Sequence, residues 1–203
     1  MKTLIYDWKD KIDEKELDNT INVINNGGIV IFPTDTVYGI ASNITNENAI
    51  KKLFELKGRN DNKPICVLTS SVEKIHKVAN IKPQELKIIN DYMPGALTII
   101  LEKKDNISNI LTSNLNTIGV RIPNNEISLK ILEKQEYPLA TTSANLSGNL
   151  PATRIEDLIE EFNGKVDIII DGGITDLKIS STIVRLEDEE IKILREGSIK
   201  IID

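Results

Sequence analysis

The chain is poor in the residues that most often advertise chemistry. It has one cysteine, one histidine and one tryptophan in 203 residues, and aromatics make up 4% of it. A lone Cys66 can form no internal disulfide and argues against a thiolate metal site. His76 and Cys66 have no sequence neighbour that completes a nucleophile–base pair. A Walker-type phosphate loop, a Gly-x-Gly-x-x-Gly fingerprint and a His-rich metal spacing are all missing. Any nucleotide must therefore be held by a less standard arrangement. No apolar run approaches the roughly 18 residues that a membrane-spanning helix needs. Met1 to Lys11 is charged and has no apolar signal region, so the expected location is cytoplasmic.

What is present is an ordinary globular composition, 40% hydrophobic and 28% charged. With so few aromatics, Ile, Leu and Val must fill the core. One domain is expected at this length, since single cores run to about 250 residues. The net charge of -6 repels nucleic acid and nucleotides at long range, so cations for either must be gathered locally.

Helical and strand signals alternate along the chain, which predicts an α/β fold, a mixed sheet with helices packed on it. Leu17, Ile21 and Ile24 fall at helical spacing before a Gly27-Gly28 stop, and a short buried strand follows over 28–32. Thr45 is the expected cap of a helix carrying Ala49, Ile50, Leu53 and Phe54 on one face. A buried strand over 65–69 holds Cys66 as a small core residue. Pro83 opens a helix that Pro94 ends. Strands are expected over 97–103, 118–122, 139–142, 166–170, 182–186 and 191–194. Helices are expected after Asn125, with Ile127 and Ile131, and on the stripe Ile155, Leu158, Ile159 and Phe162. His76, in a polar helical stretch with Glu73, Lys74 and Lys77, should face solvent. Strand order is not legible.

Polar clusters follow several strands, where open α/β sheets place ligand sites. Pro33-Thr34-Asp35-Thr36-Val37-Tyr38-Gly39 fits a capped turn as well as a binding loop. Lys57-Gly58-Arg59-Asn60-Asp61-Asn62-Lys63-Pro64, read alone, fits a helix stop better than a cationic phosphate loop. Arg121, between apolar neighbours, is either a long exposed side chain on an edge strand or a carboxylate clamp. Thr141 to Gly148 carries more hydroxyl and amide groups than one turn requires. Ser180-Ser181-Thr182 and Arg195-Glu196-Gly197 are weak signals individually.

In order, these segments resemble the YrdC-like family, which includes threonylcarbamoyl-AMP synthases. The resemblance rests on Pro33 to Gly39, Lys57-x-Arg59 with Lys63-Pro64, Pro94-Gly95 with Thr98, Gly119 to Pro123, Ser143-x-Asn145 with Ser147-Gly148, Ser181-Thr182 and Arg195-Glu196-Gly197. It spans about residues 15–200 and implies a single domain, 1–203, in the short form without an extra C-terminal domain. The implied fold is a twisted, mostly antiparallel sheet around an open cleft flanked by helices. The implied reaction joins L-threonine, bicarbonate or CO2 and ATP into threonylcarbamoyl-AMP and pyrophosphate. Mg²⁺ is the implied companion of ATP, and downstream proteins transfer the group to tRNA beside the anticodon. No membrane contact is expected, and tRNA is not needed for this step, whether or not it binds directly.

The resemblance also implies residue roles. Thr36, Arg121, Thr141 and Ser181 match threonine-binding positions. Arg59, Lys63, Thr117, Ser143, Pro151 and Arg195 match ATP-contacting ones. Lys57 and Asn145 complete the signature by the phosphates, with Lys57 and Arg59 the expected catalytic pair. Leu68 and Lys63 stand where some relatives carry His and Asn, and Ala96 where Pro is common. Two other functions fit less well: carbamoyl-adenylate chemistry from carbamoyl phosphate, found in large chains with Cys clusters, and a non-catalytic RNA-binding module, which usually has a basic face.

Overall fold

The structure is a computed structural model and describes residues 2–58 and 63–201. In chain order it forms β1 (Leu4–Asp7), α1 (Glu14–Asn25), β2 (Val30–Phe32), β3 (Gly39–Asn43), α2 (Glu47–Leu56), β4 (Cys66–Leu68), α3 (Val72–Ile75), β5 (Ala79–Asn80), α4 (Pro83–Tyr92), β6 (Leu97–Lys103), β7 (Thr117–Arg121), α5 (Glu126–Glu133), β8 (Leu139–Ser143), α6 (Glu156–Phe162), β9 (Ile168–Asp171), β10 (Thr182–Glu187) and β11 (Glu190–Arg195). The strands join one sheet in the order β1-β9-β2-β3-β8-β4-β7-β6-β10-β11, with β5 added on β6. Among the described residues, β1–β9, β2–β9, β4–β7 and β6–β10 pair in parallel, and the other six pairings are antiparallel. The sheet is therefore mixed and mostly antiparallel.

Local chemistry sets the helix ends. The Asp13 carboxylate accepts from the amides of Lys15 and Glu16 at 2.9 and 3.0 Å, and Gly27, at φ +81°, follows the far end of α1. Left-handed backbone of this kind favours glycine. The cap of α2 is Asn46 rather than Thr45: Asn46 Oδ1 accepts from Asn48 N and Ala49 N at 3.1 Å. Thr45 instead donates its hydroxyl to Asn43 Oδ1 at 2.8 Å, because it sits one residue too early to reach the first turn. Pro83 is the first residue of α4, and Asn125 caps α5 through Ser128 N at 3.0 Å.

Alternation along each strand sorts the apolar residues onto two faces. Ile31, Ile40, Val67, Ile99, Val120, Ala140 and Ile169 join a core built with Ile50 and Leu53 of α2, Ile88 and Ile89 of α4, and Leu158 and Phe162 of α6. Val30, Phe32, Ala41, Leu68, Leu139, Ile168 and Ile170 form the other core with Leu17 and Ile24 of α1 and Ile127 and Ile131 of α5. Each such side chain contributes about 1.5–3 kcal/mol on burial. Beyond Leu68 and Leu139, the residues of β4, β6, β7, β8 and β10 on this second face belong to neither core. That uncovered stretch is the candidate site.

Three elements have no counterpart in the sequence reading: β1, β3 and β5. β1 and β5 are four residues or shorter, and three of the four residues of β1 are exposed, so they leave little periodic signal. β3 is hidden by Gly39 and Ser42, which interrupt its apolar pattern.

Candidate active site

The uncovered sheet face is the floor of a cleft of about 180 Å³, lined by Thr36, Gly39, Cys66, Leu68, Thr98, Arg121, Thr141, Ser143, Ser181, Ile183 and Arg195 among others. Register explains why these residues meet. Gly39 pairs with Ser143, Ala41 with Thr141, Thr141 with Cys66, Leu68 with Arg121, and Thr98 with Ile183. Two glycines keep the floor low. A Cβ on Gly39 would stand 2.9 Å from Thr141 Cγ2, and one on Gly119 would stand 2.6 Å from Cys66 Sγ. Cys66 is thus not the core residue expected. It opens β4, is half-buried, and contributes to the cleft floor because it shares a face with Thr141.

Arg121 is the charged centre of the floor. It lies on β7, between β4 and β6, so the edge-strand reading does not hold. It is 5% exposed. Its Nε donates to Gly95 O at 2.9 Å, Nη1 to Thr36 Oγ1 at 2.8 Å and Nη2 to Asp35 Oδ1 at 2.5 Å. Burial pulls the guanidinium down from its ordinary value and the Asp35 carboxylate pushes it back up. The loop behind it is pre-set. Thr34 Oγ1 accepts from Thr36 N and donates to Val37 O, at 3.1 and 2.7 Å. Tyr38 donates its hydroxyl to Gly173 O at 2.7 Å, tying the loop to the end of β9, and burial raises its pKa.

Lys57, the C-cap of α2, behaves differently. It is 2% exposed, and its ammonium donates to Ser143 O at 2.5 Å, to Asn145 Oδ1 at 2.8 Å and to Asn145 O. Those oxygens match the three N–H donors of an ammonium. Ser143 Oγ donates to Asn145 Oδ1 at 2.7 Å, and Ser147 N donates back to Lys57 O at 3.1 Å. Asn145 Nδ2 donates to Leu146 O and Asn149 O. Lys57, Ser143 and Asn145 do come together as expected. The polar groups of Lys57 and Asn145 that these bonds describe are turned into this network, and neither residue is among the cleft lining.

The third wall is formed by β10 and the segment after β11. Thr98 Oγ1 and Ser181 Oγ share a hydrogen bond of 2.8 Å. Arg195 donates through Nη2 to Ser181 O at 2.7 Å and lies exposed at the cleft edge. Gly197 packs so closely on this segment that a Cβ would be 2.4 Å from Ser180 O. Ser198 N donates to Ser180 O at 3.1 Å, and Thr182 Oγ1 donates to Ile199 O at 2.6 Å. These bonds strap 197–199 across 180–182.

Of the expected site residues, Thr36, Arg121, Thr141, Ser143, Ser181 and Arg195 line the cleft. Lys63 is exposed, and Thr117 and Pro151 are half-buried; none of the three is among the lining residues. Arg59 lies outside the described residues. Sequence reasoning assigned no role to Asp35 or Ile183 and placed Thr98 only as part of a motif. An acid in the same strand-end loop as Thr36 was the available signal for Asp35, because a buried arginine requires a counter-charge.

The sequence profile of the Sua5/YciO/YrdC family, described as "Telomere recombination", matches residues 22–197. A threonylcarbamoyl-AMP synthase of Pyrococcus abyssi is 36% identical over 98% of this chain and 59% of its own length. A putative threonylcarbamoyl-AMP synthase of Methanocaldococcus jannaschii is 40% identical over 97% of this chain and 93% of its own. The crystal structure of P. abyssi Sua5 complexed with L-threonine superposes with a TM-score of 0.92 at 37% identity, covering 96% of this chain and 58% of that one. The chain thus spans under two thirds of the P. abyssi protein and most of the M. jannaschii one. With the same sheet and motifs in register along nearly its whole length, the chain belongs to the Sua5/YciO/YrdC family.

Proposed function

We propose that the cleft makes threonylcarbamoyl-AMP. The amine of L-threonine takes up CO2 (or bicarbonate, with loss of water) to give an N-carboxylate. One oxygen of that carboxylate then attacks the α-phosphorus of ATP, the bond from that phosphorus to the β-phosphate oxygen breaks, and pyrophosphate leaves. The observation that carries this reading is Arg121. It is a buried guanidinium with three N–H groups engaged and one left on each terminal nitrogen, in a cleft whose other polar lining is mainly hydroxyls. A guanidinium fork is suited to a carboxylate. Thr36, Thr98, Thr141 and Ser181 are placed to meet the rest of a small hydroxyamino acid. The P. abyssi relative has been solved with L-threonine, which supports threonine as the amino acid.

Displacement at phosphorus needs positioning and charge neutralisation more than a strong protein base, which suits a site without histidine. Ser143 and Arg195 line the ATP half, Arg59 and Lys63 supply further positive charge, and Thr117 and Pro151 border it. Lys57 and Asn145 act here as positioning residues. Among the described residues, the cleft lining contains no carboxylate, and there is no group of three or more His, Cys, Asp or Glu able to bind a metal. These donors do not fit a resident Mg²⁺ site, and Mg²⁺ enters this reading only as the counter-ion of ATP. The product suits transfer to a tRNA adenosine by a separate protein in the cytoplasm. No helix among the described residues is long and apolar enough to cross a membrane.

Incubation with ATP, L-threonine and labelled bicarbonate should yield a labelled threonylcarbamoyl adenylate and threonine-dependent pyrophosphate. Release that depends on carbamoyl phosphate instead, or tRNA binding with no ATP turnover, would overturn the reading.

A further inference from the structure

Asp35 is buried at 5% exposure beside the cleft, yet it is not part of the lining. Its carboxylate meets the Nη2 of Arg121 at 2.5 Å, and its carbonyl accepts from Leu177 N at 3.0 Å. Gly95, the other partner that does not line the cleft, takes Nε at 2.9 Å. These two hold the guanidinium from the side away from the ligand space, while Thr36 holds Nη1 from within it. We propose that Asp35 is a positioning residue for substrate-carboxylate recognition. It fixes the Arg121 plane so that the remaining N–H on each terminal nitrogen faces the cleft together.

The chemistry follows from desolvation and geometry. A buried guanidinium without a counter-charge is costly, so it would turn toward water or distort its surroundings. One Asp35 oxygen on Nη2 removes that tendency. It also restricts rotation about the last side-chain bond, which would otherwise misalign the fork. Arg121 can thus stay charged and correctly aimed in the empty cleft, and the incoming carboxylate need not displace Asp35, because it uses other N–H groups. This deepens the proposed function and rests on it.

The test compares two ligands that differ only in the group Arg121 would read, L-threonine and L-threoninamide, by calorimetric titration of the full chain. In Asp35→Ala, threonine affinity should fall about tenfold or more, the scale of one charged hydrogen bond. Threoninamide affinity should stay within about twofold of the unsubstituted protein. Asp35→Asn keeps an acceptor oxygen in the same place but removes the counter-charge, and should bind threonine more tightly than Asp35→Ala yet about threefold or more below the unsubstituted protein. If Asp35→Ala does not fold, Asp35→Glu decides: it keeps the charge but displaces the fork by one methylene, and should lose threonine selectively. Equal losses for threonine and threoninamide, or no loss for threonine, overturn the proposal while leaving the functional reading intact. Absence of threonine binding by the unsubstituted protein overturns both.

Discussion

Lys57 and Arg121 are both buried cations beside one cleft, at 2% and 5% exposure, and they are held in opposite ways. Lys57 is a compact ammonium whose donors are directed at Ser143 and Asn145 oxygens. Arg121 is a planar fork held by a carboxylate, a hydroxyl and a carbonyl, with an N–H left on each terminal nitrogen. Membership of a motif does not say which cation meets a ligand; the number of donors left after folding does. The lysine ties α2 to the end of β8, and the arginine keeps donors toward the cleft that the proposed function assigns to the threonine carboxylate.

That contrast can be broken at several points. If Lys57 is a structural cation, the charge acting on phosphate must come from its neighbours. Arg59→Ala should then lower the rate of pyrophosphate release by about 10²–10³, the scale for one transition-state donor. A loss below about threefold in a pyrophosphate assay would return that role to Lys57. Lys57→Met leaves buried carbonyls without a donor and should cost about 3 kcal/mol in denaturant unfolding, at about 1–3 kcal/mol per stranded group. Its threonine affinity should stay within about twofold; a larger loss would mean that the two halves are not separable. Arg121→Lys keeps a charge beside Asp35 but lacks the fork. It should weaken threonine binding by about 1.5–3 kcal/mol with little change in KM for ATP. Arg121→Ala is the poorer probe, since it strands Asp35. Serine in place of threonine should lose about 1–3 kcal/mol in kcat/KM, the value of one methyl in a pocket. A much larger penalty would point to contacts on the methyl beyond the floor formed by Leu68 and Cys66.

The two cations also mark where sequence is legible. Apolar periodicity alone predicted α1, α2, α4, α5, α6 and most of the sheet, because long buried faces repeat. It missed β5, which is too short to repeat, and β1, which pairs with β9 as a largely exposed strand. It also misplaced a cap by one residue, since Thr45 and Asn46 are both good capping types and only geometry separates them. At the site, the motif order placed Lys57 with Ser143 and Asn145, and Thr36 with Arg121. It could not reveal direction: whether Lys57 points at a ligand or at carbonyls depends on the loop that returns from β8, some 86 residues later. Cys66 was misjudged for the same reason. A strand's inner face looks apolar in sequence whether a helix covers it or a cleft does.

The strap of 197–199 over Ser180 to Thr182 has a consequence for the order in which the protein becomes competent. A chain leaves the ribosome N-terminus first. Lys57, Ser143 and Asn145 can meet once the segment after β8 has emerged, and Thr36 can meet Arg121 earlier still. The wall bearing Ser181 cannot be clamped until Ile199 is free to receive Thr182. In a nascent chain the Lys57 network would thus close well before the wall of Ser181 and Arg195, and the segment that follows β11 decides when the cleft is whole.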